Sequence, residues 1–548
     1  MKKFIILFTA LFCIPVFSQI VPFTVNLDTS ITKTSDSTLL YITNPTNYVL
    51  NITAIRTTSP FFFTRVNTLN IAANDSTPLW VLYSSFHNLT YRSFLILEAR
   101  VPNGGLKYSL VYGFIATSKY PDAIYAFTQG LSDEALKSAL RTFTASGYIS
   151  LGYNAARDRM FETVDDYGGD TIECIYTGRK IYATTRTQAQ NQNFDTEHTW
   201  PQSNFNENEP MRSDIHHLFP TYSPSNNARS NYPFGFVVSN ITYQDGGSKL
   251  GRDIYNSIVF EPRDVQKGNT ARAVFYFITR YQNYGSYLAL NQETALRQFH
   301  LMDTVNARER LRNERIKTYQ NNRNPFADHP EFVERIGAFY TAYNTPPKAE
   351  ITASPFEVRF DTLANPGDTV SYYVAVCNYG NANLTVSSVT SSNPVFTVEN
   401  FPTTVLPNQY GFAKVKFTPT AANTAYTGEL TINNSDSTLR VSLNGICGVV
   451  NGISIISGEI PRSFALKQNY PNPFNPVTNI EFSIPVSSEV KLVIFDITGK
   501  QVALLLDQYL RAGTYKVDWS AAKLPSGVYF YRFTAENYSQ TRKMILIK

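Results

Sequence analysis

The chain is poor in cysteine and has no paired cysteine motif. Only four of its 548 residues are cysteine, and no two of them are separated by two residues. The missing CxxC spacing argues against a zinc site made of thiolates, and so few cysteines cannot form a disulfide framework. Any stability in this chain must therefore come mainly from packing.

An excess of charge of one sign is also missing. The chain has 48 Lys and Arg against 43 Asp and Glu, a formal net charge of +5. This balance excludes a strongly basic body that coats polyanions over its whole surface, so any polyanion must be bound locally. Apolar residues make up 43% and aromatic residues 14%, which indicates a globular, β-rich chain whose length suggests three or four domains.

No apolar run is long enough to cross a membrane. Residues 1–19 contain two lysines, an apolar run of about a dozen residues and a polar exit, which is the pattern of a secretory signal peptide. A bilayer span needs ~20 apolar residues. The pattern predicts an exported protein, secreted or at the cell surface, without a stable membrane span.

Two segments of the chain repeat each other. Residues 25–118 can be laid over 355–449, and both alternate apolar and polar residues in short runs bounded by Asn, Gly, Pro and Ser. At one constant offset, Asn44, Leu50, Ile52, Ile55, Pro60 and Phe62 match Asn378, Leu384, Val386, Val389, Pro394 and Phe396. We expect two β-sandwiches, at 20–120 and 350–450. The pattern resembles immunoglobulin-like domains, which implies a spacer or adhesion role.

The second copy contains two cysteines that the first copy lacks. Cys377 and Cys447 stand on an early strand and on the final strand of the predicted sandwich. They are the candidates for one disulfide bridge. Cys174, in the segment between the copies, would then be a single thiol.

The segment between the copies, 122–346, has a different spacing of apolar residues. Apolar residues three or four apart indicate helices, among them the runs LSDEALKSALRTF and ARAVFYFITRYQNYG. This predicts a separate α+β domain. Three of the six histidines fall within twenty positions there, namely His198, His216 and His217.

The tail, 460–548, shows cleanly alternating strands between turn signals and predicts a third β-sandwich. It contains NYPNPFNP, the run LPSGVYFYRF and the ending TRKMILIK. These motifs resemble the C-terminal sorting domain of type IX secretion, type A. The resemblance implies an outer-membrane-bearing bacterium, the type IX secretion machinery as a partner, and removal of the tail on export.

Three short motifs of the middle domain lie close together. Residues 194–202 read FDTEHTWPQ, 212–220 read RSDIHHLFP and 223–235 read SPSNNARSNYPFG. Their order predicts a Glu-His pair on one strand, a second strand and an Asn-bearing helix, a ββα unit. With GGSKLG at 246–251, FEPRDVQKGNTARAVFY at 260–276 and RNERIKTYQNNRNPFADHPEFV at 312–333, the segment resembles the bacterial endonuclease I family of His-Me finger nucleases.

The residue types suit phosphodiester hydrolysis, which needs an activated water and a hard cation. A neutral imidazole takes a proton from water at physiological pH, so His198 is the candidate general base. The resemblance implies the same role, and it implies that Glu197 and Asn226 complete the catalytic set. Their oxygens suit Mg²⁺, with Mn²⁺ or Ca²⁺ as alternatives.

Neighbours on a straight strand point to opposite faces. Glu197 and His198 can therefore share a site only if the strand bends or ends there, and the nearby Pro201 favours an ending. Asp195 is the alternative ligand because it lies on the same side as Glu197 in a straight strand.

His216 and His217 are adjacent, so their side chains diverge on a strand and a two-histidine metal clamp is disfavoured. We expect them to pack or to support the site, with Asp214 as a hydrogen-bond partner, and a direct ligand role stays the alternative. Trp200, Phe205 and Phe219 are expected in the core rather than as base-stacking platforms.

Phosphate contacts require cations on the surface of the domain. Basic residues outnumber acidic ones from 211 to 340, whereas acidic ones are in excess from 121 to 210. The candidates for nucleic-acid binding are Arg229, Lys249 and Arg272, because arginine favours bidentate phosphate recognition. Arg229 follows Asn226 by nearly one helical turn.

The chain therefore reads as a multidomain protein in which an α+β nuclease domain with a ββα-metal core is flanked by immunoglobulin-like β-sandwiches. The predicted activity is that of a secreted, metal-dependent, nonspecific endonuclease acting on DNA or RNA. The rival hypothesis is a surface adhesion or scaffold protein whose nuclease-like domain only binds. A metallopeptidase using the clustered histidines is a weaker third, since no matching ligand spacing supports it. The sequence leaves the oligomeric state open.

Overall fold

The computed structural model describes residues 24–26, 30–44, 49–100, 106–282, 287–360, 363, 365–422, 424–447, 453–457, 461–486, 488–510 and 512–548. The predicted signal peptide, 1–19, lies outside these ranges. The chain divides into two compact units. One contains residues 118–346 together with 86–89, and the other contains 1–85, 90–117 and 347–548.

The first repeat consists of nine strands in two sheets. Strands β1, β2, β4, β6, β8 and β9 form one sheet and β3, β5 and β7 form the other. The strands are β1 (Thr24–Asn26), β2 (Ser30–Ile31), β3 (Ser35–Thr43), β4 (Leu50–Thr57), β5 (Phe62–Thr64), β6 (Leu69–Ile71), β7 (Ser76–Ser84), β8 (Thr90–Arg100) and β9 (Leu106–Lys119). One buried apolar cluster takes side chains from both sheets.

The unit of residues 118–346 combines helices with three small sheets. Its strands are β10 (Thr171–Glu173), β11 (Lys180–Tyr182), β12 (Phe194–His198), β13 (Leu218–Tyr222), β14 (Ser239–Asp245), β15 (Ser248–Arg252) and β16 (Ile258–Glu261). Its α-helices are α1 (Asp133–Ala145), α2 (Tyr153–Arg159), α3 (Arg186–Gln190), α4 (Ser223–Arg229), α5 (Asp264–Tyr281), α6 (Leu290–Met302), α7 (Ala307–Gln320) and α8 (Pro325–Asp328). The sheets pair β10 with β11, β12 with β13, and β14, β15 and β16 in that order.

The second repeat and the tail are again built from sheets. The repeat contains β17 (Ile351–Ser354), β18 (Glu357–Arg359), β19 (Val370–Asn378), β20 (Leu384–Ser391), β21 (Phe396–Asn400), β22 (Thr404–Val405), β23 (Gln409–Phe417), β24 (Thr424–Asn434) and β25 (Leu439–Cys447). The tail contains β26 (Ile453–Ser457), β27 (Ala465–Leu466), β28 (Val477–Ile484), β29 (Ser488–Phe495), β30 (Gln501–Leu510), β31 (Gly513–Ser520), β32 (Gly527–Ala535) and β33 (Tyr538–Leu546). Each forms two sheets around its own apolar core.

The two repeats share a buried asparagine with the same function. Asn44 Nδ2 donates to the carbonyl oxygen of Ile71 at 3.0 Å, and Asn378 Nδ2 donates to that of Val405 at 2.9 Å. Both asparagines are fully buried and stand at the same place in the repeat. A buried amide with satisfied donors fixes the loop it spans, which explains why the sequence pattern repeats at this position.

The expected bridge between Cys377 and Cys447 is wrong, because both are free thiols. Cys377 belongs to the sheet of β19, whereas Cys447 ends β25 in the other sheet of the repeat. Cys377 also faces away from the core of its own repeat. It lies in a buried cluster with Phe94, Ile96 and Val111 of the first repeat.

Helix α5 is the central element of the unit 118–346. Its residues from Thr270 to Arg280 are all buried, so the other elements pack around it on every side. Gly268 permits this packing, because a Cβ there would collide with the carbonyl oxygen of Asp303. The helix ends where Gln282 takes a left-handed conformation, with φ of 49°.

Strands β12 and β13 pair antiparallel, with Glu197 opposite Phe219 and His198 opposite Leu218. Helix α4 follows β13 directly and carries a proline in its first turn, where the missing N–H costs nothing. Trp200 is buried and stacks on Phe277 of α5, with ring centroids 4.8 Å apart. This contact attaches the end of β12 to the core. Phe205 and Phe219 are also buried, so the prediction that these three aromatic residues belong to the core is confirmed.

Among the helices of the described ranges, none has both the length and the apolar character needed to cross a membrane.

We expect Cys174, Cys377 and Cys447 to be alkylated in the unfolded mature protein without any reducing agent, because all three are free thiols. In the folded protein Cys377 should stay unreactive, since burial raises the pKa of its thiol to about 12. Intact-mass measurement after alkylation checks both statements. If Cys377 and Cys447 reacted only after reduction, the free-thiol assignment would fail.

Candidate active site

His198 is the last residue of β12 and is almost fully buried. Burial lowers the pKa of its imidazole well below the ordinary value, and His217 acts in the same direction, so the ring is neutral at physiological pH. A hydrogen bond to the backbone of Arg212 opposes this shift. Nε2 is buried and has no hydrogen-bond partner within the described residues. A neutral imidazole with a ring nitrogen free of protein partners has the form that a general base requires.

Glu197 and Arg229 form a buried ion pair. Arg229 Nε lies 2.9 Å from Glu197 Oε1, and the two side chains are 1% and 3% exposed. Tyr176 donates its hydroxyl to the same Oε1 at 2.7 Å. Burial raises the pKa of Glu197, while the charge of Arg229 and the Tyr176 hydrogen bond oppose it. One carboxylate oxygen is thus held by protein, and the other carries no protein hydrogen bond in the described part of the chain.

The rest of the Arg229 guanidinium is bound as well. Nη2 donates to the carbonyl oxygen of Thr199 at 2.9 Å and to the hydroxyl of Tyr287 at 2.8 Å. Burial tends to lower the pKa of Arg229, but Glu197 and the neighbouring tyrosines raise it overall. The sequence led us to expect a phosphate ligand here. The structure instead makes Arg229 a positioning residue that connects α4 to Glu197 and to the end of β12.

Asn226 is half-buried on α4, one turn before Arg229. Its Nδ2 donates to the carbonyl oxygen of Thr196 at 3.5 Å, a long hydrogen bond that turns Oδ1 away from that carbonyl. No hydrogen bond engages Oδ1 within the described ranges. Asn226 therefore stands beside the peptide that leads into Glu197, with an oxygen available to a ligand.

Glu197 and His198 are consecutive residues at the end of β12, and their side chains contact different residues. Glu197 contacts Tyr176 and Arg229, whereas His198 contacts the rings of Tyr153 and His217, at centroid distances of 5.6 and 5.4 Å. The two side chains thus have different neighbours. The strand ends at His198, as the nearby Pro201 led us to expect.

Asp195 differs from Glu197 in its surroundings. Its Oδ1 accepts from Arg157 Nη2 at 2.9 Å and from its own neighbour's backbone N–H, and its side chain is 48% exposed. The carboxylate of Asp195 is therefore already bound in an ion pair with Arg157. As the alternative ligand, Asp195 is therefore less suitable than Glu197.

His216 and His217 lie in a 3-10 turn rather than on a strand. His217 Nε2 meets the carbonyl oxygen of Met211 at 2.6 Å, and His216 Nε2 that of Asn322 at 3.4 Å. Burial lowers the pKa of each imidazole to about 4. Both rings thus support the segment between the two strands. The partners of the two rings are carbonyl groups, while Asp214 Oδ1 accepts a hydrogen bond from the backbone N–H of His216 at 3.2 Å.

The carboxylate of Asp214 instead binds side chains of α5. Its Oδ2 accepts from the hydroxyls of Tyr276 and Tyr281, each at 2.7 Å, and lies 3.3 Å from Arg280 Nε. Burial raises the pKa of Asp214, but Arg280 and the two histidines lower it overall. This network fastens the segment 211–217 to the central helix.

The remaining two candidates for nucleic-acid binding differ from each other. Arg272 is fully buried, and it donates through Nε and Nη2 to both carboxylate oxygens of Glu309 at 2.7 and 2.6 Å. It cannot reach a strand of nucleic acid from there, so the surface role expected from the sequence does not fit. Lys249 is half-buried on β15, with no ion pair to any described residue.

Sequence reasoning missed two arginines beside His198. Arg157 donates to Thr196 Oγ1 at 3.0 Å, and Arg212 pairs with Glu207 at 2.8 Å while remaining 32% exposed. Both guanidinium groups lie over the ring of Tyr153, at 4.9 and 4.3 Å from its centroid. Arg212 stands at the head of the RSDIHH motif, so the motif contained the signal. Nothing local marks Arg157, because α2 lies almost forty residues upstream.

A divalent cation fits the residues present. The unengaged oxygens of Glu197 and Asn226 are hard donors of the kind that Mg²⁺, Mn²⁺ and Ca²⁺ prefer. No group of three or more His, Cys, Asp or Glu in the described ranges could hold a metal ion. A cation held by one carboxylate and one amide needs no such group. These two ligands would leave most coordination positions of the cation open to water and substrate.

Comparisons with known proteins agree with this chemistry. The family model described as Endonuclease I matches residues 134–331, and the model described as a secretion system C-terminal sorting domain matches 468–548. An extracellular ribonuclease of Bacillus amyloliquefaciens is 32% identical over 243 residues, which cover 40% of this chain and 80% of the relative. An extracellular ribonuclease of Bacillus subtilis is 31% identical over 242 residues, covering 39% of this chain and 78% of the relative.

A third relative is an extracellular deoxyribonuclease of Aeromonas hydrophila. It is 31% identical over 118 residues, which cover 22% of this chain and 50% of the relative. The fold, the site and these relatives define a secreted or cell-surface nuclease that acts on nucleic acid. The chain belongs to the endonuclease I family. The hypothesis of a binding-only adhesion or scaffold protein is thereby disfavoured.

Replacing Arg229 by Met should destabilise the unit 118–346 by about 3–5 kcal/mol, because Glu197 would stay buried without its partner. Urea denaturation measures the loss. Arg179→Met is the matched control, since this guanidinium is 52% exposed in its pair with Asp245 and its loss should change stability little. Equal effects of the two substitutions would contradict a central role for the buried pair.

Proposed function

We propose that the chain is a metal-dependent, sequence-nonspecific endonuclease that hydrolyses phosphodiester bonds of DNA and of RNA. The observations that carry the proposal are the unpartnered Nε2 of His198 at the end of β12 and the unengaged oxygens of Glu197, the preceding residue, and of Asn226 on α4. Relatives named as ribonucleases and as a deoxyribonuclease support a site that accepts either sugar.

His198 would act as the general base. Its ring is neutral because burial disfavours the imidazolium, and its Nε2 has no protein partner among the described residues. A water placed at Nε2 would lose its proton to the ring while its oxygen bonds to phosphorus, and the bond from phosphorus to the 3′ oxygen would break, with the leaving oxygen taking a proton from solvent. The expected products are 5′-phosphate and 3′-hydroxyl ends.

Glu197 and Asn226 would hold the cation, Mg²⁺ or alternatively Mn²⁺ or Ca²⁺. Bound there, it would neutralise charge that builds on the phosphoryl oxygens and on the leaving oxygen. Arg229 and Tyr176 contribute by fixing the orientation of the Glu197 carboxylate through Oε1. A ligand whose rotamer is locked in this way needs no reorganisation when substrate binds.

Arg212 and Lys249 are the proposed phosphate contacts. Arg212 is partly exposed and lies next to the base, and Lys249 is half-buried without an ion pair among the described residues. Contacts to phosphate carry no sequence information, which suits a nonspecific enzyme. Arg229 and Arg272 are not part of this set, because both are fully buried in their pairs with Glu197 and Glu309.

We further propose that β12, β13 and α4 form the ββα-metal core of a His-Me finger nuclease. The strand pairing and the helix that follows it support this assignment. The two repeats would be immunoglobulin-like spacers, as their two-sheet architecture suggests. The tail would direct the chain through type IX secretion.

Replacing His198 by Ala should lower turnover ~10² to 10⁴-fold, the usual value of a general base, without weakening the binding of nucleic acid. A fluorescence-based binding assay and a plasmid-cleavage assay separate the two effects. His87→Ala, outside the site, should leave both unchanged. Near-normal turnover by His198→Ala would remove His198 from the role of base.

Asn226→Ala should raise the concentration of divalent cation needed for half-maximal cleavage by at least about 10-fold, since it removes a ligand oxygen. EDTA should abolish cleavage by the unsubstituted enzyme. Asn227→Ala is a matched control, because the neighbouring asparagine on the same helix is exposed. The ligand role of Asn226 is refuted if both variants have the same metal requirement.

A further inference from the structure

A cavity that the proposed hydrolysis does not use lies beside helix α7. Its volume is about 390 Å³, and the residues around it include Tyr167, Phe219, Gln266, Asn269, Arg308 and Arg312. Small-molecule sites typically measure ~300–1,000 Å³. The cavity is therefore too large for a lone inorganic anion and large enough for a compact organic ligand.

Gln266, one of the residues that line this cavity, has a buried donor that is unsatisfied. Its side chain is 4% exposed, and Nε2 has no hydrogen-bond partner among the described residues. The amide orientation follows from its neighbour, because Gln266 Oε1 accepts from Asn269 Nδ2 at 3.3 Å. A buried donor without an acceptor destabilises the fold, and an acceptor atom of a ligand would satisfy it.

Arg308 supplies a cation that is only weakly compensated. Its Nη1 reaches Glu173 Oε2 at 3.3 Å, but Glu173 is also bound by Arg263 and lies 3.8 Å from Lys180. Burial lowers the pKa of Arg308 to about 10, although Asp165 acts against it. Nε and Nη2 of Arg308 make no hydrogen bond to any described residue. This guanidinium is thus held in place with two donor groups available.

Most carboxylate oxygens around the cavity are already engaged by protein groups. Asp165 accepts from Arg312 Nε at 2.8 Å, and Asp166 Oδ1 accepts from the backbone N–H of Gly168 at 2.9 Å. Glu309 is held by Arg272. Asp166 Oδ2 is the one oxygen of these three carboxylates without a hydrogen bond to a described residue, and the other open groups, on Gln266 and Arg308, are donors that favour an anion with further acceptor atoms.

The donors stand at different depths. Gln266 is buried, whereas the Arg308 side chain is 42% exposed and lies against the ring of Tyr167. The matching ligand has an uncharged end with acceptor atoms, which faces the buried Gln266, and an anionic end near solvent, which faces Arg308. A nucleotide has this form, because its base has acceptor atoms on its edge and its phosphate is anionic.

We propose that this cavity binds one nucleotide, with the base toward Gln266 and the phosphate on Arg308. The proposal rests on the proposed nuclease function, which supplies nucleotides both as product and as units of the substrate strand. The cavity also adjoins the site. Phe219, in its wall, lies opposite Glu197 in the pairing of β12 with β13, and Arg312 donates to the carbonyl oxygen of Leu218, the residue opposite His198.

The test is isothermal titration calorimetry on the full mature chain in EDTA, with deoxynucleoside 5′-monophosphates, the matching nucleosides and inorganic phosphate as separate probes. We expect the monophosphates to bind and each fragment alone to bind at least 10-fold more weakly. Arg308→Ala should weaken monophosphate binding at least 10-fold. Arg310→Ala, an exposed arginine on the same helix that does not border the cavity, should not.

Gln266→Leu is a second variant, in which the Arg308 guanidinium is retained. It should weaken the binding of monophosphates while leaving that of inorganic phosphate unchanged, and thermal unfolding verifies that each variant folds. Binding of phosphate as tight as that of the monophosphates, equal losses in Arg308→Ala and Arg310→Ala, or binding that survives Arg308→Ala would each overturn the proposal.

Plasmid cleavage by the same preparation with Mg²⁺ restored separates two failures. If the unsubstituted chain cleaves but binds no monophosphate, the inference on the cavity is wrong and the nuclease proposal stands. If it neither cleaves nor binds, the nuclease proposal itself fails.

Discussion

The buried pair of Glu197 and Arg229 is the constraint on which the site depends. Two full charges removed from water are tolerated only because the carboxylate also accepts from Tyr176 and the guanidinium also donates to Thr199 and Tyr287. The pair connects α4 to β12. It sets the position of Asn226, which is on the same helix, and of His198, which is the next residue along the strand.

The surrounding unit keeps this arrangement rigid. Trp200, just after β12, stacks on Phe277 of α5. Asp214, just before β13, binds two tyrosine hydroxyls and Arg280 of the same helix. Both ends of the segment between β12 and β13 are therefore attached to α5. Helix α5 can occupy the centre because Gly268 lets another segment approach it closely. A rigid frame suits a base that must hold one ring nitrogen free in a nearly dry environment.

Local sequence patterns predicted much of this. Alternation and turn residues indicated β-domains, and the Asn44 and Asn378 positions of the repeat proved to make equivalent hydrogen bonds. The order of the three motifs indicated the pairing of β12 with β13 and the helix that follows. These features depend on residues close together in the chain.

What the sequence could not show depends on distant contacts. Spacing placed Arg229 on the face of Asn226, but its burial depends on Tyr287 and Tyr176, which come from other parts of the chain. The same holds for Arg272, which Glu309 of α7 binds, and for Cys377, whose neighbours belong to the first repeat. Arg157 reaches the site only because α2 packs near β12.

The central claim is that His198 activates a water that attacks phosphorus with the 3′ oxygen leaving. The chemical ends of the products test it most directly. Mass spectrometry of fragments from a defined DNA duplex and from a defined RNA strand should show 5′-phosphate and 3′-hydroxyl ends on both substrates. Products ending in 3′-phosphate, or in 2′,3′-cyclic phosphate on RNA, would contradict the account, because they require a different leaving group or an attack by the sugar itself.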